Sequence, residues 1–180
     1  SQLRLPILLY ILMLMLPLEV NLGGLLLNGQ RILLLILIIP LTVNLIMGCY
    51  GRLLVVDVLF FLHIIWGVVA FAVNSPDRLV GFMGSNTIEF IGGYVTGRAF
   101  IRSREDFLAL CKLLVGLIAL TMPLAVFETL TGNPILIRTL ASLPGLSSIT
   151  IIPSGTRFGL ERVQVFFSHP IHYGLFTGTL

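Results

Sequence analysis

Long uncharged stretches, repeated at intervals along the chain, constrain this sequence more than any other feature. Leu5 to Leu18 carries no charge and continues, past the single Glu19, to Leu27. Ile32 to Gly51 is uncharged, and so is Val58 to Pro76, which follows Leu53-Leu54-Val55-Val56-Asp57. Leu113 to Phe127 is uncharged, with Lys112 at its start. A hydrocarbon core about 30 Å thick asks for roughly 20 apolar residues in a helix. Each stretch is read as a transmembrane helix. Composition agrees: 57% of the 180 residues are hydrophobic and 11% are charged, and the mean hydropathy is +1.05. Soluble domains hold about 25% charged residues and could not hide this much apolar surface. A soluble enzyme, a disordered tail and a secreted disulfide scaffold are excluded.

A fifth stretch, Leu79 to Gly97, is weaker. It contains Glu89 and five glycines, and either spans or lies partly in the interface. Gly93 and Gly97 form a GxxxG pair of the kind that permits close helix packing. A last uncharged run starts at Val163 and continues to Leu180. The expected fold is therefore all-α, a polytopic transmembrane helix bundle with five to six spans. It forms a single integral-membrane domain over 1–180. Because the chain opens on Ser1 and its last run is short for a span, it is expected to be a fragment of a longer protein.

Arg4 followed by an apolar run superficially suits a signal peptide. No small-residue cleavage site follows, so the segment is read as an anchor. Basic residues orient the bundle. With the N-terminus inside, Arg4, Arg52, Arg98, Arg102, Arg104 and Lys112 are cytoplasmic, and Arg31, Arg78, Arg138, Arg157 and Arg162 are outside. The cluster Arg98–Arg102–Arg104 carries most of this argument. It places 128–162 on the outer face as a long loop, with prolines, glycines and scattered leucines and isoleucines. Loops beyond about 12–15 residues are usually functional or disordered, and the apolar content argues for a segment folded over the membrane surface.

The chemistry concentrates at the end of that loop and just after it, in Arg157-Phe-Gly-Leu-Glu-Arg162 and Phe166-Phe167-Ser168-His169-Pro170-Ile-His172. Proline favours the first helical position and serine the position before it. Ser168-His169-Pro170 is thus read as the start of a sixth helix. A helix N-terminus favours an anion, and the arginine fork suits phosphate oxygens. His169 and His172 can move a proton near neutral pH. Taken singly, outer-loop arginines often do no more than contact lipid headgroups, and interfacial histidines are usually structural. His169 and His172 supply two metal ligands without a third, so no metal is expected. Cys49 and Cys111 form no redox or zinc pattern, and a net charge of +3 is too mild for nucleic acid.

Other polar groups lie inside apolar stretches. Asp57 is close to Arg52 and is expected to pair with it. Glu89 is a candidate cavity residue, since intramembrane carboxylates are functional candidates by default. Glu128, in Phe127-Glu128-Thr-Leu-Thr-Gly132, marks a helix end and could pair with an outer arginine. Trp66 and Tyr94 suit packing or interfacial anchoring.

The Glu128-Thr-Leu-Thr-Gly132 turn, the long outer loop, and Arg162 followed by Phe166-Phe167-Ser168-His169-Pro170 give residues 50–180 a resemblance. This stretch resembles the O-antigen ligase and polymerase superfamily, in its exopolysaccharide branch. The resemblance implies a bacterial inner-membrane, multi-pass protein that transfers or polymerises glycans carried on undecaprenyl diphosphate at the periplasmic face. It implies no nucleotide, cofactor or obligatory metal, and a longer chain with a further arginine-bearing periplasmic loop. In such an enzyme His169 and Arg162 would be catalytic, and Arg157, Glu128, His172 and Glu89 would bind substrate. Membrane lipid and other polysaccharide-export proteins would be its partners. Two other classes compete: a transporter or flippase using Asp57, Glu89 and the glycine-rich stretch, and a non-catalytic membrane scaffold.

Overall fold

The computed structural model describes residues 3–16, 19–22, 25–142, 151, 158–167 and 169–178. Among these the chain is helical almost throughout, in the order α1 (Leu5–Leu14), β1 (Glu19–Leu22), β2 (Leu25–Asn28), α2 (Gly29–Ile46), α3 (Val55–Asn74), α4 (Ser85–Phe100), α5 (Arg104–Thr131), α6 (Ile135–Ala141) and α7 (Pro170–Gly178). A 3-10 turn at Pro76–Arg78 and a π-helical stretch at Leu79–Gly84 lead into α4.

Three helices are long and apolar enough to cross a membrane: α2 with 18 residues, α3 with 20 and α5 with 28. Each leaves most of its apolar surface uncovered, as with Ile36, Ile39, Trp66, Val73, Leu120 and Leu130. Apolar surface is worth about 25 cal/mol per Å² when removed from water. Helices with apolar faces this wide are stable in lipid and not in water. The chain is a membrane protein.

The first expected span is different. The stretch Leu5–Leu27 divides into α1, of 10 residues, and an antiparallel hairpin in which Glu19 faces Asn28 and Val20 faces Leu27. A continuous helix here would have carried Glu19 and Asn21 into lipid. It would also have crossed Gly23-Gly24, the poorest helix formers in the stretch. A two-stranded hairpin leaves edge groups unpaired, which hydrocarbon does not tolerate, so this segment belongs at the water interface. Strand β2 passes straight into α2, whose first turn is capped by the Asn28 side chain accepting from Arg31 N at 2.8 Å. The boundaries of α2 and α3 shift by a few residues, whereas α5 begins at Arg104, well before Leu113. The outer loop is also less loop-like than expected, because α5 runs to Thr131 and α6 follows.

The body of the bundle is α2 against α4. Leu41, Leu45, Val95 and Ala99 form its buried centre. A Cβ on Gly92 would stand 3.0 Å from Leu34 Cβ, so this glycine sets the close approach of the two helices. The GxxxG expectation therefore names the wrong pair: a Cβ on Gly97 would touch nothing within 4 Å, and one on Gly93 would only reach the Tyr10 hydroxyl at 4.0 Å. The contact face of α4 is displaced by one residue from the one read in sequence.

Candidate functional site

Two polar centres sit at opposite ends of α4. Near its C-terminal end, Asp57 is fully buried. Its Oδ2 accepts from Leu54 N at 2.6 Å, which caps α3, and its Oδ1 accepts from the Tyr94 hydroxyl. Arg98 donates to both carboxylate oxygens at 3.3 Å and also to the Arg52 carbonyl at 3.1 Å. Asp57 therefore pairs with Arg98 across the helix interface, and not with Arg52 as its place in sequence suggests. Arg52 contributes only its backbone oxygen. Near the other end of α4, Glu89 Oε1 accepts from Arg31 Nε at 2.8 Å, and both side chains are part-exposed. Close by, Gln30 donates to the Tyr10 hydroxyl at 3.0 Å. A cleft of about 520 Å³ between α3 and α4 connects the two centres. Glu89 and Arg98 lie at its ends and Phe60, Phe90 and Gly93 between them.

The second constellation lies where α5 ends. Gly132 closes that helix with a φ of +66°, and its amide donates to the Glu128 carbonyl. The Glu128 side chain is buried, at 5% exposure. It accepts from two consecutive backbone amides, Gln164 N at 2.7 Å and Val165 N at 3.0 Å. Glu161 N donates to the Thr129 carbonyl at 3.0 Å. The segment 161–167 is thus strapped to the end of α5 at two points, and Val165, Phe166 and Ala125 close an apolar cluster beneath the strap. Val165 holds a φ of +54°, an outlier for a β-branched residue that costs on the order of 1–3 kcal/mol. The two charge-assisted bonds to Glu128, worth about 1.5–3 kcal/mol each, offset it. Both Glu128 oxygens are thus engaged by amides; no described arginine forms an ion pair with it, and Arg157 lies outside the described residues.

Arg162 lies between the two strap points and is exposed. Helix α7 begins at Pro170, as its Ser-His-Pro sequence predicts. His169 is its side-chain cap: Nδ1 accepts from Ile171 N at 3.1 Å. A ring nitrogen that accepts carries no proton, so a neutral His169 bears its hydrogen on Nε2. His172 stacks obliquely at 5.9 Å between ring centroids. Arg157 and Ser168 lie outside the described residues. Glu89 belongs to the α3–α4 cleft and not to the strap, so the expected site residues divide into two groups. Among the described residues no three His, Cys, Asp or Glu side chains gather as a metal site.

Sequence reasoning does not find Arg98, Tyr94 or Gln164 as partners. Arg98 has a signal, since one arginine within the reach of an apolar stretch needs a carboxylate. The amides that hold Glu128 have none. Comparison of the chain with protein-family models, curated proteins and solved structures finds no match.

Proposed function

We propose that the chain is part of a bacterial inner-membrane, multi-pass enzyme that transfers or polymerises a glycan from undecaprenyl diphosphate at the periplasmic face. On this reading the π-helical stretch and α4 together form a fourth crossing and α7 opens a further one. The observation that carries the proposal is the strap. Glu128 commits its charge to backbone amides and leaves Arg162 exposed on the strap, close in sequence to two histidines at a helix start.

A sugar on a diphosphate is already activated. The acceptor hydroxyl oxygen attacks the anomeric carbon, the bond to the diphosphate oxygen breaks, and the diphosphate leaves with the electron pair. Arg162, with Arg157 nearby in sequence, balances the charge that develops on the leaving group. His169, with Nδ1 occupied by Ile171 N, suits donation from Nε2 to a phosphate oxygen better than it suits proton abstraction. His172 is the second imidazole and takes the acceptor proton. The transporter alternative rests on Asp57 and Glu89, and an arginine holds each of them.

The test is polymer or ligated product in cells lacking the native protein and complemented with full-length variants. Arg162→Lys keeps the charge and loses the planar fork, and product should fall at least tenfold. His169→Ala should impair transfer more than it impairs binding of the lipid-linked substrate. Wild-type product from both variants, at normal membrane abundance, would remove the site and leave headgroup contact as the role of Arg162.

A further inference from the structure

A cavity of about 250 Å³ lies between α1, α4 and α5, remote from the strap, and is lined by Ile7, Tyr10, Gly93, Thr96, Ile101 and Leu114 among others. Its wall is apolar except at Tyr10 and Thr96. Thr96 is 2% exposed, and its hydroxyl has no hydrogen-bond partner among the described residues. Helical threonines usually donate to a carbonyl one turn back. Thr131, Thr139 and Thr177 do so here, to Phe127, Ile135 and Tyr173. Thr96 does not, and a dry buried hydroxyl is a cost that a ligand acceptor would remove. The neighbouring wall is open as well, since a Cβ on Gly97 would meet nothing within 4 Å.

Basic residues flank this lining along the chain, close to Ile7 and Ile101. Arg4 precedes α1, Arg102 lies between α4 and α5, and Arg104 opens α5; all three are exposed. Glu105 and Asp106 share that first turn. The Asp106 carboxylate is engaged by the amides of Arg102 and Ser103 at 3.3 and 3.1 Å, within the electrostatic reach of Arg4. Three cations face two carboxylates, one of which caps its own helix.

We infer that this cavity holds one acyl chain of an anionic diacylphospholipid, with the phosphate at Arg4, Arg102 and Arg104 and an ester carbonyl accepting from Thr96. Thr96 lies five residues before Ile101, about 7 Å along the helix axis, which sets its hydroxyl back from the basic residue that follows Ile101. The cavity equals about eight water volumes at roughly 30 Å³ each. It has room for a length of hydrocarbon chain, and its mostly apolar wall suits that chain better than a sugar. The inference does not rest on the glycan-transfer proposal.

The experiment uses the full chain in phosphatidylcholine nanodiscs doped with spin-labelled phosphatidylglycerol, phosphatidylcholine or stearate. The readout is the motionally restricted fraction of each label. Phosphatidylglycerol should be retained several-fold over the other two. Gly97→Leu fills the cavity and should abolish that excess. Thr96→Val keeps the shape without the hydroxyl and should reduce the excess about threefold to tenfold. Arg4→Gln with Arg102→Gln should bring phosphatidylglycerol to the level of phosphatidylcholine. Equal retention of phosphatidylglycerol and phosphatidylcholine by the wild-type chain would overturn the inference, and so would stearate retained as strongly as phosphatidylglycerol. An excess untouched by both Gly97→Leu and Thr96→Val would overturn the cavity assignment.

Discussion

Asp57 and Glu128 are both buried carboxylates, yet they are satisfied in opposite ways. Asp57 meets a guanidinium, a phenol and one amide, contributed by two helices. Glu128 meets two amides of a single non-helical segment. The first arrangement neutralises charge and joins α3 to α4. The second leaves the charge in place and fixes the path of a backbone. A carboxylate held by amides draws no arginine out of its neighbourhood, which is how Arg162 stays available on the strap while Arg98 does not. The difference separates a structural centre from a presenting one, although each has an acid and an arginine close together in sequence or space.

That comparison breaks most readily at Asp57. Asp57 is fully buried and Arg98 keeps 24% side-chain exposure, so removing the carboxylate strands a part-buried guanidinium, at up to about 3–5 kcal/mol. Asp57→Ala should lower the thermal midpoint in mild detergent, followed by circular dichroism, by more than a change at Glu128, Gly92, Gly97 or Glu89. Asp57→Asn keeps the acceptor for Leu54 N and should cost less. If Asp57→Ala unfolds no earlier than wild type, the trio is not what holds α3 to α4. At the other centre, Glu128→Ala leaves the amides of Gln164 and Val165 without their acceptor, at roughly 1–3 kcal/mol each. The effect should be local. The helical signal should change little, while trypsin should cut at Arg162 markedly faster in proteoliposomes that expose that face. Glu128→Gln should fall between, since one amide oxygen cannot replace two carboxylate oxygens. A cutting rate unchanged by either variant would mean that Glu128 does not hold the strap.

How far these centres can be read from sequence follows from the nature of their partners. The long helices α2, α3 and α5 are legible because freedom from charge over a membrane thickness is a local property. The start of α7 is legible because Ser168-His169-Pro170 states it in three residues. Leu5–Leu27 reads wrongly as a span because its summed hydropathy outweighs a Gly-Gly pair flanked by apolar residues, which is a hairpin signal in its own right. For Asp57 the nearest arginine in sequence is the wrong one, because helix packing brings its partner from 41 residues away. For Glu128 the two amide partners are not legible, because sequence displays side chains and not the amides that a backbone segment exposes. The glycine face of α4 is off by one position because Leu34, on another helix, decides it.

The packing side of the comparison can be sharpened with two neighbouring glycines. Gly92→Ala should force Leu34 aside and cost about 1–3 kcal/mol. Gly97→Ala, with open space at its Cβ, should be neutral or slightly stabilising through helix propensity. A reversed order in thermal midpoints would restore the GxxxG pair as the contact between helices.

The smallest effect is expected at the third acid–arginine pair. Glu89 and Arg31 keep 38% and 19% side-chain exposure, so water or headgroups already solvate part of each charge. Exposed pairs contribute about 0–1 kcal/mol, below the pair that Arg98 makes with the fully buried Asp57. Glu89→Gln keeps an acceptor for Arg31 Nε and removes the charge. Its thermal midpoint should lie within a degree or two of wild type, and its insertion should be normal. Glu89 also lines the α3–α4 cleft, so a change in product without a change in stability would make that cleft part of the substrate path. Unchanged product and unchanged stability would leave the pair as a surface contact. A destabilisation as large as that of Asp57→Ala would show that burial does not set the rank of these centres, and the contrast drawn between Asp57 and Glu128 would need another cause.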